Sequence, residues 1–254
     1  MRIDTSDLGV DALDARSLVL SALLGTHPPA LPVRALVALG ELFGIRSGTI
    51  RTALSRMVAA GDLNADDGWY RLTGRLLERQ RQQDSGRRIS RDTWDGTWWN
   101  VTVEPDRRDT SERRAFRSTL EGARFGELRP DIWLRPATEP ELPRFAGAIV
   151  MRGDLGVDDV HGLVARLWPL DDLEARASKL LAALREQREL LDKARDDDLP
   201  TAFAVAAATV RFLRVEPQLP DELQPADWTA STLRAVHDDF ALVFEQRLRA
   251  FFAR

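Results

Sequence analysis

The organisation of the amino-terminal part of this chain follows from one segment, Phe43-Gly-Ile-Arg-Ser-Gly-Thr-Ile-Arg-Thr-Ala-Leu-Ser-Arg-Met-Val-Ala-Ala-Gly-Asp-Leu63. We expect Gly44 to end one helix, Ser47 to cap the next and Gly61 to stop it. Apolar residues recur at helical spacing inside the second helix and predict its buried face: Ile50, Ala53, Leu54, Met57 and Val58. Small, hydroxylated and cationic residues predict the opposite face: Gly48, Thr49, Arg51, Thr52, Ser55 and Arg56. A face of this chemistry can enter the major groove of DNA, because arginine bonds guanine edges and hydroxyl groups bond phosphates or bases.

The flanking sequence favours DNA binding over the alternative, a helix with one solvated face. Residues 32–43 predict a preceding helix with Pro32 in its first turn, and the link to the next helix is very short. Residues 63–72 predict two strands around the hairpin turn Asp67-Gly68. Helix, turn, helix and hairpin together indicate a winged helix-turn-helix. The residues predicted to contact DNA are Arg34, Ser47, Thr49, Arg51, Thr52, Ser55, Arg56 and Arg71.

Charge is distributed unevenly along the 254 residues, whose net charge is −4. Residues 33–93 carry eleven arginines against seven acidic residues, whereas residues 94–254 carry 23 basic against 29 acidic residues. A basic segment attached to an acidic body is typical of a regulator that binds nucleic acid. The chain has no cysteine, no recognisable signal peptide and no apolar run long enough to cross a bilayer, so we expect a cytoplasmic protein without a membrane partner.

The remaining pattern predicts an α+β chain in three parts: a winged-helix domain with linker (1–92), a middle domain (93–166) and a helical domain (167–254). In the middle part, strands are predicted at 97–103, 131–135 and 146–152, and helices at 110–123 and 158–167. This order indicates a small ferredoxin-like unit whose last strand is not evident. The final helix carries an aromatic stripe, for which domain core is the first interpretation and a dimer interface the alternative: Phe240, Phe244, Phe251 and Phe252.

Several separated segments, in the same order, make the chain similar to the PaaX family, the repressors of phenylacetic acid degradation genes. The amino-terminal segments are Ile50-Arg-Thr-Ala-Leu-Ser-Arg56 and Trp69-Tyr-Arg-Leu-Thr-Gly74. The central ones are Trp94-Asp-Gly-Thr-Trp98 and Phe125-Gly-Glu-Leu-Arg-Pro-Asp-Ile-Trp-Leu-Arg-Pro136. The last are Leu167-Trp-Pro-Leu-Asp171 and Leu219-Pro-Asp-Glu-Leu-Gln-Pro-Ala-Asp-Trp228.

The resemblance implies a repressor that binds a double-stranded operator as a homodimer and is released by an aryl-acyl-CoA such as phenylacetyl-CoA. It also implies a Cas2-like ferredoxin fold for the middle domain. One departure is a shorter segment at 211–219 that lacks a histidine typical of the family, which leaves open a different acid as effector. For the effector we expect aromatic contacts and phosphate contacts from Trp133, Trp168, Arg135, Arg211 and Arg214.

The alternative function is a Cas2-like metal-dependent nuclease, or a nucleic-acid-processing or scaffold protein. Glu104 lies near the end of the first middle-domain strand, where such a nuclease would carry an acidic metal ligand, but no second ligand is evident. The three histidines fall on different predicted elements, and the sequence has no glycine-rich phosphate loop. We therefore predict no catalytic residue, no metal and no cofactor.

Overall fold

The computed structural model describes residues 14–87, 94–104, 109–139, 141–193 and 195–252. They form two compact units. The first comprises the described residues of Met1–Arg87, Ala177–Leu213 and Ser231–Arg254, and the second those of Arg88–Arg176 and Arg214–Ala230. The chain thus leaves the first unit and later returns to it. The three-part division at 92 and 166 stays a prediction, and the acidic arm before Asp14 lies outside the described residues.

The first unit opens with helices and a small sheet in alternation. The elements are α1 (Ala15–Leu24), β1 (Ala30–Pro32), α2 (Val33–Leu42), α3 (Ser47–Ala59), β2 (Leu63–Asp66), β3 (Trp69–Leu72) and α4 (Gly74–Arg87). The three strands form an antiparallel sheet in the order β1-β3-β2. Asp67 and Gly68 both have positive φ, 45° and 73°, as a two-residue hairpin turn requires. The predicted helices and hairpin are confirmed, while the interpretation as a winged helix-turn-helix stays a prediction.

Close packing of α2 against α3 sets the direction of α3. A Cβ atom added to Gly40 of α2 would lie 2.5 Å from Cγ1 of Ile50 in α3, so only a glycine permits this approach. Ile50, Leu54 and Met57 are buried, as predicted, but Val58 is exposed. The capping prediction for Ser47 is wrong, because Ser47 is the first helical residue and Arg46 occupies the N-cap position.

The second unit is built on a four-stranded antiparallel sheet. Its elements are β4 (Trp98–Val103), α5 (Thr110–Gly122), β5 (Gly126–Arg129), β6 (Ile132–Pro136), β7 (Ala148–Gly153) and α6 (Val160–Leu167). The strand order is β5-β6-β4-β7. The short strand β5 was not predicted, and it pairs with β6 through an irregular register that begins at Gly126 opposite Leu134. The ferredoxin-like (Cas2-like) assignment stays a prediction.

Two hydrophobic clusters lie on opposite faces of this sheet, because successive residues of a strand point to opposite sides. Trp133 of β6 belongs to the cluster that includes Leu120 of α5. Its neighbour Leu134 belongs to the other, with Leu163 of α6 and Trp168. The two tryptophans therefore occupy separate cores.

Three long helices form the rest of the chain: α7 (Leu170–Asp192), α8 (Leu199–Val215) and α9 (Ala230–Phe252). In the first unit, Phe240 and Phe244 of α9 are buried and stacked with ring centroids 5.6 Å apart. The aromatic stripe is thus core at these two positions, and its alternative interpretation as a dimer interface is wrong for them. The side chain of Phe252 lies outside the described residues. Among the helices that the structure describes, none is both long enough and apolar enough to cross a membrane.

Candidate nucleic-acid interface

The outer face of α3 carries the chemistry that the sequence predicted. All of the predicted contact residues on this helix are exposed: Ser47, Thr49, Arg51, Thr52, Ser55 and Arg56. No acidic residue occurs anywhere in α3. Because Ile50, Leu54 and Met57 anchor the opposite face in the core, the polar face is held outward by a rigid support. A helix with this arrangement presents cations and hydroxyl groups without a competing negative charge.

The arginines of α3 keep their guanidinium groups available. Within the described part of the chain, no carboxylate lies within ion-pair distance of Arg51 or Arg56, and the same holds for Arg46 at the N-cap. The hydroxyl of Thr52, by contrast, donates to the carbonyl oxygen of Gly48 at 2.9 Å. Thr52 can therefore accept a hydrogen bond from a partner, while its hydroxyl proton is already used within the helix.

The hairpin adds a weaker cationic contribution. Arg71 of β3 lies 3.8 Å from the carboxylate of Asp66 in β2, and both side chains are about half or more exposed, at 48% and 75%. An exposed ion pair of this length contributes little to stability, so a DNA phosphate could replace Asp66 as the partner of Arg71. Arg34, in the first turn of α2, is also exposed.

Two predicted effector residues of the second unit, Trp133 and Arg135, are buried. Trp133 is buried, and the guanidinium of Arg117 lies 5.4 Å from its ring centroid. Arg135 is buried as well; its Nη1 donates to the carbonyl oxygen of Ala123 at 2.8 Å, and its Nη2 pairs with the carboxylate of Glu139. Burial lowers the pKa of the Arg135 guanidinium, and the charge of Glu139 opposes that shift. Both side chains are thus committed within the protein core.

The two predicted effector tryptophans of the second unit lie in separate hydrophobic clusters. Trp168 is buried in the cluster on the sheet face opposite Trp133, so the two rings cannot enclose one ligand. Arg211 and Arg214 are half-buried residues of α8 that belong to different units. Arg211 lines a cavity in its own unit. The assignment of the five residues to an effector site stays a prediction.

The nuclease alternative rests on Glu104. Glu104 is exposed at the end of β4. In the part of the chain that the structure describes, no group of three or more histidine or acidic side chains is placed to hold a metal ion. His237 is buried in α9, with its Nδ1 3.7 Å from the carboxylate of Asp238.

Both ends of the chain match models of known protein families. Residues 14–76 match the model of the PaaX-like protein family, and residues 168–254 match the model of the PaaX-like protein C-terminal domain. The chain belongs to the PaaX family. It is 26% identical over 226 residues to the transcriptional repressor PaaX of Escherichia coli (strain K12), a match that covers 78% of this chain and 69% of that protein. It is also 38% identical to an uncharacterized protein from Mycobacterium tuberculosis of known structure, with a TM-score of 0.72 and coverage of 94% of this chain and 98% of the other.

Two exposed residues of this PaaX-family chain were missed as candidates for the interface. Arg46 directly precedes α3 and is exposed, and no carboxylate of the described residues lies within ion-pair distance of it. Trp69 begins β3 beside the hairpin turn and is 41% exposed, which is unusual for so large an apolar side chain. The sequence marked both positions, since Arg46 directly precedes the predicted second helix and Trp69 follows the hairpin turn Asp67-Gly68.

Proposed function

We propose that this chain is a transcriptional repressor that binds a double-stranded operator through a winged helix-turn-helix, with α3 in the major groove. The observation that carries the proposal is the outer face of α3, which is exposed, cationic and free of carboxylates. Arg51, near the middle of this face, is the candidate for a base contact, whereas Arg56 and Arg71 are candidates for phosphate contacts. The E. coli relative named as a transcriptional repressor supports the same function.

The test is a titration of operator DNA with single variants. The duplex is selected from a random library by the unsubstituted protein, and binding is followed by fluorescence anisotropy at several salt concentrations. We expect Arg51→Ala to weaken binding by about 1–3 kcal/mol and to relax the preference at one base pair. We expect Arg56→Ala to weaken binding to all sequences and to reduce the salt slope by about one.

A matched control removes an exposed arginine from another helix of the same unit. Arg185 of α7 is exposed, and Arg185→Ala should bind the operator like the unsubstituted protein. If the double variant Arg51→Ala, Arg56→Ala also binds unchanged, α3 is not the recognition helix.

The repressor proposal extends to an aromatic-acid operon of the phenylacetate type, with an aryl-acyl-CoA as the ligand that releases the DNA. Such a ligand must bind the free protein better than the DNA-bound protein, because only differential affinity shifts the equilibrium. Adding phenylacetyl-CoA and related thioesters to the protein–operator complex should weaken binding by roughly 5- to 150-fold, a typical coupling. No response to any thioester would leave the repressor in place and exclude this effector class.

We also propose that the repressor binds as a homodimer. One recognition helix reads only a few base pairs, and a palindromic site read by two copies is the usual solution. Since Phe240 and Phe244 are core residues, these two side chains do not form the interface. Light scattering of the free protein and of its operator complex tests the proposal, and a single copy in both would contradict it.

A further inference from the structure

The first unit contains a cavity of about 470 Å³ that none of the predicted DNA contacts line. Its walls are mainly the carboxyl end of α1 with the turn that follows, and the facing sides of α8 and α9; Leu31, Leu39 and Arg79 complete the lining. Small side chains on these walls leave the space open: Ala206, Ala207 and Ala241. The volume falls within the range of about 300–1,000 Å³ that is usual for small-molecule sites.

The lining is mostly apolar and includes the cations Arg79, Arg211 and Arg249. Arg211 is half-buried on the wall formed by α8, and in the described residues no carboxylate lies within ion-pair distance of it. Two carboxylates also line the cavity, but each has a cationic group or imidazole beside it: Glu245 accepts from Arg249 at 2.6 Å, and Asp238 lies 3.7 Å from His237. A half-buried arginine on an apolar wall suits a ligand that carries a carboxylate or a phosphate.

A series of aromatic contacts joins the cavity to the turn that precedes α3. Phe203 and Phe244 line the cavity, and their rings meet edge to face at 6.1 Å. Phe203 also packs edge-on against Phe43, with ring centroids 5.5 Å apart. Phe43 closes α2 and lies in the turn that leads into α3. Leu39, which lines the cavity, sits beside Gly40, the residue that contacts Ile50 of α3.

We propose that this cavity is the effector site, that it takes the aromatic part of an anionic ligand with the anionic group at Arg211, and that its occupancy moves α3 through the contact between Phe203 and Phe43. The inference rests on the proposed repressor function, since it supplies the place at which a ligand acts on DNA binding. A ligand that favours a shifted position of Phe203 disfavours the α3 orientation that fits DNA. The anionic group has two possible sources: the carboxylate of a free aromatic acid, or the phosphates of a CoA thioester whose acyl group fills the cavity.

Binding is tested by calorimetry on the full chain with phenylacetate, phenylacetyl-CoA and CoA alone as probes. At least one aromatic probe should bind, and the acid and thioester arms separate the two sources. Ala207→Phe, which fills the cavity, and Arg211→Gln, which removes the cation, should each weaken that probe at least tenfold. Arg185→Gln, an exposed arginine outside the cavity, should bind it within twofold of the unsubstituted protein.

The binding result overturns the proposal if no aromatic probe binds at millimolar concentration, or if both cavity variants bind like the unsubstituted protein. Circular dichroism and operator binding without ligand are measured for each variant to show that it folds. If Ala207→Phe does not fold, Ala206→Leu makes a smaller change on the same wall.

The route to α3 is tested by a pair of matched phenylalanine variants. Phe203→Leu should still bind the probe, but the probe should change its operator affinity by less than twofold. Phe240→Leu loses a buried ring that neither lines the cavity nor contacts Phe43, and it should respond to the probe normally. A normal response in Phe203→Leu overturns the route. If the unsubstituted protein binds no duplex DNA, the repressor function fails, while calorimetry still decides whether the cavity binds the probe.

Discussion

Gly40 offers the most direct test of how α3 is held in place. A methyl group introduced by Gly40→Ala would lie 2.5 Å from Cγ1 and 2.8 Å from Cδ1 of Ile50, closer than the 3.0 Å that real Cβ contacts respect. Ile50 is fully buried, and its branched side chain has little freedom at χ1 in a helix. The two helices therefore have to separate, and we expect operator affinity to fall because α3 moves.

The magnitude follows from two opposing effects on the free energy of unfolding. Overpacking a well-filled core costs about 1–3 kcal/mol. Replacing glycine by alanine inside a helix returns about 1 kcal/mol through better helix propensity. Gly40→Ala should therefore lower stability by up to about 2 kcal/mol. In an Ile50→Ala background, which itself costs about 2–5 kcal/mol, the two clashing atoms Cγ1 and Cδ1 are gone, and the same substitution should stabilise by up to about 1 kcal/mol.

Urea denaturation of the four proteins of this double-mutant cycle gives the coupling directly, which we expect to be on the order of 1–3 kcal/mol. Gly48→Ala in α3 serves as the control, because a Cβ there meets nothing within 4 Å and no penalty is expected. The same effect of Gly40→Ala in both backgrounds would show that its contact with Ile50 does not set the spacing of α2 and α3.

Three further substitutions test interactions elsewhere in the fold. Arg16→Met removes the 2.7 Å partner of the buried carboxylate of Asp62 and should lower stability by about 1–2 kcal/mol, since Arg16 itself is half exposed; an unchanged urea midpoint would contradict this. The backbone N–H of Ser17 donates to the Asp14 carboxylate and lowers its pKa. The stability that this cap supplies is therefore present at neutral pH and is lost as the pH falls below 3.8 through the folded-state pKa. In acid denaturation, the difference in free energy of unfolding between Asp14→Ala and the unsubstituted protein should vanish in that range. Arg135→Met leaves a backbone carbonyl without its donor and should cost about 1–3 kcal/mol by thermal unfolding, whereas an unchanged melting temperature would show that the arginine is dispensable.

Local patterns predicted most of the elements correctly. The helical spacing of Ile50, Leu54 and Met57 identified the buried face of α3, and Asp67-Gly68 identified the hairpin. The residues that form each signal lie within a few positions of one another, so each can be recognised without knowledge of the tertiary structure. Strand β5 was missed because it is only four residues long and contains no β-branched or aromatic residue.

The long-range arrangement could not be predicted from periodicity. The pattern of α9 showed that Phe240 and Phe244 share a face, but a stripe does not say which helix covers it. The structure pairs Phe244 with Phe203 of α8, and Phe203 with Phe43, 160 positions earlier in the chain. For the same reason Trp133 and Trp168 looked suited to one aromatic pocket, although the sheet separates them. Exposed residues of one helix can be inferred locally, whereas a cavity assembled from distant segments needs the fold.

The return of the chain to the first unit has a consequence for its synthesis. Helix α4 ends at Arg87, but α9 begins only at Ala230. At about 5–20 residues per second, a ribosome needs on the order of ten seconds to make the segment between them. During part of that interval α3 is already outside the ribosome, but Phe203, which packs against Phe43, has not yet been synthesised. Chains released early by premature termination would lack the helices that pack against this turn. Such fragments should be poor competitors for the operator, and the ability to bind DNA should appear late in translation.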